Sequence, residues 1–153
     1  MKEIRLLDRN FLYDDFTTQF QSTDKIKWIR DFTAGPDDIV VVTDDYIRTQ
    51  GNYRKVGMLM EPREIKAFVY KVIVLKEVYE GFEKILTYDK ELLELSDKFE
   101  FYPHCGCWIQ PEFHKIHEKS KLLSIIASDK VITDGHRLRH SLVKLCTEKG
   151  YPI

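Results

Sequence analysis

The run Ile39–Thr43 constrains the fold of this chain more than any other segment. It reads Ile-Val-Val-Val-Thr, follows the turn sequence Gly-Pro-Asp-Asp at 35–38, and ends at Asp44 and Asp45. β-Branched residues favour strands, and a strand without polar alternation has to be buried on both faces. Strands of this kind belong to parallel sheets that helices cover on both sides. The run therefore predicts an α/β fold.

Short apolar runs and helical patterns alternate along the rest of the chain. We expect strands at 4–7, 56–60, 84–88, 99–102 and 122–127. We expect helices at 16–20, 63–80, 89–95 and 113–120, although 68–75 could also be a strand. The last helix has a cap at Thr133 or Asp134, an apolar face formed by Leu138, Leu142 and Leu145, and a stop at Gly150. This order predicts a three-layer Rossmann-like sandwich with a mostly parallel sheet, formed as a single α/β domain over 1–153.

Composition excludes several classes of partner. The 153 residues are 43% hydrophobic with a net charge of −1, which suits one globular core and gives no electrostatic case for nucleic acid or an anionic membrane. No apolar run approaches the ~20 residues of a spanning helix, and the charged amino terminus does not resemble a signal peptide. Three cysteines, two of them close together at Cys105 and Cys107, favour a reduced, cytoplasmic setting.

Glu61 is the first candidate functional residue. An apolar run ends at Met60, and Pro62 follows the glutamate directly. A residue before proline is restricted to extended conformations, so Glu61 should lie at the carboxyl end of a strand, where α/β sheets bind ligands. Apolar neighbours would raise the pKa of this carboxyl group toward the range of a general base. The alternative is a solvated glutamate in the first turn of the next helix.

The segment 124–139 is the second candidate, as a site for an anion. An expected strand leads through Ser128 and Asp129 to a helix that begins near Asp134 and carries Arg137 and Arg139. Amide groups at a helix start and an arginine there suit a pyrophosphate. The chain has neither the Rossmann glycine fingerprint nor a phosphate-binding Walker loop. A solvated basic face is the alternative.

Two further clusters could bind metal. Cys105, Cys107, His114 and His117 have short spacings, with the two histidines one helical turn apart, but the cysteine pair is tighter than in zinc knuckles and has no second pair. We expect no zinc there, and buried thiols beside a turn instead. Asp44 and Asp45 could hold a metal for a nucleotide sugar, although we expect a turn that caps the next element.

Several short motifs occur in an order that resembles the α-1,3-fucosyltransferase family. They are Met60-Glu61-Pro62, then Leu86-Thr87-Tyr88 with Ser96-Asp97, then Tyr102-Pro103-His104-Cys105-Gly106, and finally the segment 121–128 with Arg137. The resemblance covers 54–149, which matches the amino-terminal half of the family. It implies one Rossmann-like lobe, on the acceptor side, of a two-lobe glycosyltransferase of the GT-B type.

The resemblance also implies roles for individual residues. Glu61 would be the base that deprotonates the acceptor hydroxyl in an inverting transfer. Ser128, Asp129 and Arg137 would contact the donor diphosphate, with Arg139 as a substitute for Arg137. Two departures bear on these roles: Asp129 replaces the family's asparagine, and Glu61 precedes Pro62 without the family's intervening serine.

The sequence therefore predicts a lobe of a fucosyltransferase-like enzyme that needs no cofactor. The expected partners are a carbohydrate acceptor, a nucleotide-sugar donor for which GDP-fucose is the candidate, and a carboxyl-terminal donor lobe without which the chain should be inactive. A non-catalytic α/β module that binds carbohydrate or protein is the main alternative, and a small zinc-stabilised domain is the third.

Overall fold

The structure is a computed structural model that describes residues 1–9, 22–30, 33–103, 109, 111–120 and 123–152. The chain forms two compact units, Met1–Gln110 and Pro111–Ile153. Each unit has its own secondary structure, and that of the first is an α/β fold with a parallel sheet, as predicted.

The first unit is built on a six-stranded sheet. The strands are β1 (Lys2–Leu7), β2 (Ile26–Ile29), β3 (Ile39–Thr43), β4 (Arg54–Met58), β5 (Lys84–Thr87) and β6 (Phe99–Phe101). Their order is β2-β1-β3-β4-β5-β6 and every neighbouring pair is parallel. The direction of chain progression reverses between β1 and β3, which is the arrangement of a Rossmann-like, doubly wound sheet.

Both faces of the sheet are apolar, as the run Ile39–Thr43 predicts. Val40 and Val42 belong to the larger buried cluster on one face, whereas Val41 belongs to a second cluster on the other face. In the same way Ile85 and Leu86 contribute to opposite clusters. This alternation follows from the two-residue period of a strand, so β3 is buried on both sides.

Three helices of the first unit contribute to the larger cluster. They are α1 (Ala67–Ile73), α2 (Lys76–Tyr79) and α3 (Lys90–Leu95), which bury Ile73, Tyr79 and Leu92 among others. The predicted helix over 63–80 is thus confirmed in two pieces that are separated at Val74 and Leu75, and the alternative of a strand over 68–75 is wrong. The helices cover the face of the sheet that carries the larger cluster, and the other face carries the second apolar cluster. Two apolar faces are consistent with a three-layer fold.

The second unit contains one long helix, α4 (Asp134–Lys149), after a 3₁₀ turn at Pro111–Phe113. Thr133 caps α4 in a capping box with His136, and Gly150 ends it with a left-handed φ of 66°. Both boundaries agree with the sequence prediction. The predicted apolar face is present but remains largely exposed, since Leu138 is 61% exposed.

Two predicted elements of the second unit are wrong. Residues 123–127 form no strand, and 114–120 form no helix. Ile116 is 99% exposed and Ile126 is 87% exposed, so neither segment buries the apolar side chains that suggested it. A short helix without such packing is marginal in water, and a strand needs a neighbour with which to form hydrogen bonds.

The sequence prediction missed β2. Its residues Ile-Lys-Trp-Ile lie at the edge of the sheet and pair with β1 alone, so they lack the continuous apolar character of β3. The predicted helix at 16–20 falls outside the described residues. None of the helices in the described part of the chain combines the length and apolar character needed to cross a membrane.

Candidate functional site

Acidic residues follow four adjacent strands of the sheet. Asp8 follows β1, Asp44 follows β3, Glu61 lies three residues beyond β4, and Asp89 lies two residues beyond β5. Because the strands are parallel, their carboxyl ends meet at one edge, which is where α/β sheets bind ligands. This acidic edge is the candidate functional site of the first unit.

Asp8 and Thr43 lie where the order of the sheet reverses. The Thr43 hydroxyl donates to Oδ1 of Asp8 at 2.8 Å, and the two residues are buried. The Arg30 guanidinium lies 3.8 Å from the other oxygen of Asp8. The Asp8 carboxylate is thus enclosed by protein partners, and it holds the ends of β1 and β3 together.

Asp44 holds the turn that contains Glu61. Its Oδ1 accepts hydrogen bonds from the amides of Met60 at 3.0 Å and Glu61 at 3.4 Å. Its own backbone has a φ of 23°, a left-handed value that is unusual for a residue with a side chain. Strained backbone of this kind is common at functional sites, where the surrounding structure has to hold it in place.

The Asp44 carboxyl group is also strained electrostatically. Its Oδ2 is buried without a hydrogen-bond partner among the described residues. Burial raises the pKa of this carboxyl group from 3.8 to about 6, although the amides of Met60 and Glu61 act in the opposite direction. The negative charge of Glu61 adds to the increase, whereas Lys66 opposes it.

Glu61 lies at the carboxyl edge of the sheet, although β4 ends at Met58 and not at Met60 as the sequence predicts. The side chain is partly buried beside the buried Met60. Its backbone is held on both sides, because Asp44 accepts from its amide and the Tyr70 hydroxyl donates to its carbonyl at 3.0 Å. No hydrogen bond or ion pair with another described residue engages its carboxylate. The carboxylate is therefore free while its backbone is fixed.

Two tyrosines and an arginine complete the acidic edge. Tyr70 and Tyr88 are hydrogen-bonded to each other, and burial raises the pKa of both phenols. Arg63 binds the Asp89 carboxylate with two hydrogen bonds of 2.5 and 2.8 Å, and this arginine holds the pKa of Asp89 below its usual value. The edge thus combines a free carboxylate with fixed hydroxyl groups and a neutralised carboxylate.

The carboxylates of this edge are too dispersed to bind a metal together. Within the described ranges no group of three or more histidine, cysteine, aspartate or glutamate residues could hold an ion. Asp45 forms an ion pair with Lys66 at 2.6 Å, and Asp44 accepts from the turn at Glu61. The two aspartates therefore connect neighbouring segments. The expected turn is present as a 3₁₀ turn at Asp44–Tyr46, but it has no side-chain cap.

The predicted diphosphate residues belong to the second unit. Ser128 and Asp129 are exposed in the segment before α4. Arg137 forms an ion pair with Asp134 and donates to the carbonyls of Val131 at 2.9 Å and Ile132 at 3.3 Å. Its expected position beyond the end of a strand at 122–127 is wrong, because 123–127 form no strand.

The start of α4 offers fewer free amides than the sequence suggested. Thr133 accepts the amide of His136, and the His136 ring accepts the amide of Thr133. Loss of hydration lowers the pKa of His136, and the positive charges nearby lower it further. Arg139 donates to the carbonyl of Gly135 at 3.1 Å. An anion there would have to compete with Thr133 for the His136 amide, and with Asp134 and backbone carbonyls for the two arginines.

The cysteine and histidine cluster lies mostly outside the described residues, since these omit Cys105 and Cys107. The expected helical spacing of His114 and His117 is wrong, because no helix forms at 114–120. His117 lies 3.3 Å from the Phe113 carbonyl. The third cysteine, Cys146, is a buried free thiol in α4.

Sequence reasoning proposed Glu61 as a candidate but missed the residues that hold its backbone, above all Asp44 and Tyr70. One signal was available, namely that an acidic residue follows each of four apolar runs. The Asp44 carboxylate accepts from the Glu61 amide across 17 residues, and the Tyr70 hydroxyl donates to the Glu61 carbonyl across 9 residues. No local pattern encodes such contacts.

Comparison of the chain with known protein families, with curated proteins and with solved structures found no match.

Proposed function

We propose that this chain is the acceptor-side lobe of an inverting glycosyltransferase of the α-1,3-fucosyltransferase type. The acceptor would be a carbohydrate, the donor a nucleotide sugar such as GDP-fucose, and the setting cytoplasmic. The order of motifs over 54–149 supports the proposal, and a parallel sheet with Glu61 at its carboxyl edge suits such a lobe.

The free carboxylate of Glu61 is the observation that carries the proposal. A general base must be able to accept a hydrogen bond from the substrate and must be held at a fixed position. The Glu61 backbone is fixed by Asp44 and Tyr70, whereas its carboxylate has no hydrogen bond or ion pair with a described residue. A substrate hydroxyl could bind there without displacing a partner.

In the proposed reaction, Glu61 takes the proton of an acceptor hydroxyl as that oxygen attacks the anomeric carbon of the donor sugar. The bond between that carbon and the diphosphate oxygen breaks, and the electron pair leaves with the nucleoside diphosphate. Attack from the face opposite the leaving group inverts the anomeric configuration. The resemblance assigns Arg137 and Arg139 to the donor diphosphate, and Arg137 would then have to exchange its contacts with Asp134 and two carbonyls for phosphate oxygens.

Substitution of the proposed base tests this function. We expect Glu61→Gln to lower fucosyl transfer from GDP-fucose to an oligosaccharide panel about 10²–10⁴-fold in any form of the protein that carries out transfer, because the amide cannot accept the proton. Binding of the oligosaccharide, followed by amide shifts in NMR spectra, should change little.

Glu64→Gln is the matched control, since Glu64 is exposed in the same turn. This variant should retain transfer. Equal losses in the two variants, or oligosaccharide-induced shifts that avoid the residues around Glu61, would contradict the assignment of the base. Oligosaccharide binding without transfer in every form of the protein would favour the non-catalytic binding module.

A further inference from the structure

A second site lies at the edge of the sheet where the strands begin. A cavity of about 730 Å³ is formed by the segment before β4, by α2 and by the segment before β5. Its volume falls within the ~300–1,000 Å³ of small-molecule sites. The polar side chains that line it are Arg48, Gln50, Asn52, Tyr53, Lys55 and Glu77. The strands are parallel, so this edge is opposite the one that carries Glu61.

Lys55 is a partly buried charge in the lining of this cavity. Its ammonium group lies 4.0 Å from the centre of the Phe82 ring and donates to the Thr49 carbonyl at 3.1 Å. No carboxylate of a described residue pairs with it, and burial lowers its pKa. A partly buried ammonium without a counter-charge is a position that an anion would stabilise.

Arg48 and Glu77 line the same cavity, and neither forms an ion pair with a described residue. With Lys55 they give the lining two positive charges and one negative charge. The cavity therefore favours a ligand that carries a single anionic group near the two cations, with uncharged groups near Glu77.

The remaining polar groups suit hydroxyls. Gln50 and Asn52 are exposed amides that can both donate and accept, and the Glu77 carboxylate can accept. Tyr53 supplies an aromatic wall, and Gly51 lies so close to it that a Cβ on Gly51 would be 1.9 Å from Cε1 of the ring. The Tyr53 hydroxyl is buried with no hydrogen-bond partner among the described residues.

We propose that this cavity binds a small hydroxylated anion, of the class that includes sugar phosphates and sugar carboxylates. Lys55 and Arg48 bind the anionic group, Gln50 and Asn52 bind the hydroxyls, and the negative charge of Glu77 restricts the ligand to a single anionic group. The site is separate from Glu61, so it does not depend on the proposed transferase function.

Titration of the ¹⁵N-labelled chain of 153 residues with four probes tests the site. Glucose 6-phosphate or glucuronate should shift the amides of 48–55 and 77–81, and whichever binds more tightly identifies the anionic group. Glucose lacks the charge and inorganic phosphate lacks the hydroxyls, so both should bind at least about tenfold more weakly.

Two variants and one control assign the shifts to the cavity. Lys55→Met should weaken binding of the better probe about tenfold or more because it removes the ammonium group and keeps the chain length. Glu77→Gln, at an exposed position that folding tolerates, should strengthen binding severalfold by removing a repulsion. Lys76→Met, on the same helix but outside the cavity, should leave it unchanged.

Three results would overturn the proposal. They are the absence of shifts at 48–55 and 77–81 with both charged sugars, equal affinity for glucose or for inorganic phosphate, and an unchanged affinity in Glu77→Gln. The last result does not depend on how well Lys55→Met folds.

Discussion

Asp44 combines a strained backbone with a buried carboxyl group that contacts the backbone of the proposed base, Glu61. Its φ of 23° and its unpaired Oδ2 both destabilise the folded state. In the same conformation its Oδ1 accepts the two hydrogen bonds that hold the turn at Glu61. Asp44 is therefore a positioning residue for Glu61, since it touches the backbone of the turn and not a substrate.

The pKa of Asp44 makes the stability of the protein depend on pH. The carboxyl group has a pKa of about 6 in the folded chain and 3.8 as its ordinary value, so the folded state binds the proton more tightly. Its contribution to stability is therefore fully present below 3.8 and is lost as pH rises through about 6. We expect the unfolding free energy of the wild type, relative to Asp44→Asn, to fall by up to about 3 kcal/mol across this window.

Urea unfolding at a series of pH values measures this difference. The Asp44→Asn variant keeps an oxygen acceptor for the Met60 amide, so it should fold. Asp45→Asn is the control because the side chain of Asp45 is exposed and paired with Lys66, and it should keep the wild-type slope. An identical pH slope in the wild type and Asp44→Asn would show that Asp44 does not titrate in this range.

At the scale of elements, the Arg63–Asp89 pair connects the turn after β4 with the start of α3. Asp89 is the N-cap of α3 and accepts the Leu92 amide at 3.1 Å, while its carboxylate also binds Arg63. One side chain therefore caps a helix and holds two neighbouring loops of the acidic edge together.

Two substitutions of Asp89 separate these roles. Asp89→Asn keeps an acceptor for the Leu92 amide and loses the charge, so it should cost below about 1 kcal/mol, as expected for a partly exposed pair. Asp89→Ala also loses the cap and should cost about 1 kcal/mol more. Because Arg63 lowers the pKa of Asp89, the charge contribution should be present above the ordinary pKa and disappear as pH falls.

Chemical denaturation of both variants provides these values. Glu91→Gln is the control, because Glu91 also contacts Arg63 but is exposed, and its cost should be within about 0.5 kcal/mol of zero. Equal destabilisation by Asp89→Asn and Asp89→Ala would show that the ion pair, and not the cap, stabilises this edge.

At the scale of the molecule, the stability of the first unit resides mainly on the face of the sheet that the helices cover. Among the described residues, the larger cluster includes Ile73, Phe82 and Ile85, whereas the opposite cluster contains four buried residues, Leu6, Val41, Met58 and Met60. Gly57 allows the larger cluster to close over β4, since a Cβ there would lie 3.2 Å from Ile47, Phe82 and Ile85.

Substitutions of two adjacent residues of β5 test whether the two faces of the sheet contribute unequally to stability. Ile85 is fully buried and Leu86 is partly buried on the other face. We expect Ile85→Ala to cost about 2–5 kcal/mol and Leu86→Ala clearly less, because the cavity left by a fully packed side chain adds to the lost transfer energy. Thermal and urea unfolding of the two variants measure the loss of unfolding free energy. A larger loss for Leu86→Ala than for Ile85→Ala would show that the main core lies on the opposite face of the sheet.

The sequence by itself determined the α/β class, both ends of α4 and five of the strands. These were predicted at 4–7, 39–43, 56–60, 84–88 and 99–102, and they lie at 2–7, 39–43, 54–58, 84–87 and 99–101. These features depend on burial periodicity and on caps such as Thr133 and Gly150, whose partners lie within a few residues. It also placed Glu61 at the carboxyl edge of the sheet, three residues beyond the observed end of β4, because the restriction before Pro62 is local.

Only the tertiary structure decided the order of the sheet, the presence of β2 and the absence of a strand at 123–127. A strand exists only if a neighbour accepts its hydrogen bonds, and the pairing of β2 with β1 joins residues 24 positions apart, such as Lys2 and Ile26. The contacts of Asp44 and Tyr70 with the Glu61 turn were likewise decided by packing. Local sequence specifies what a segment can form, and distant partners specify whether it does.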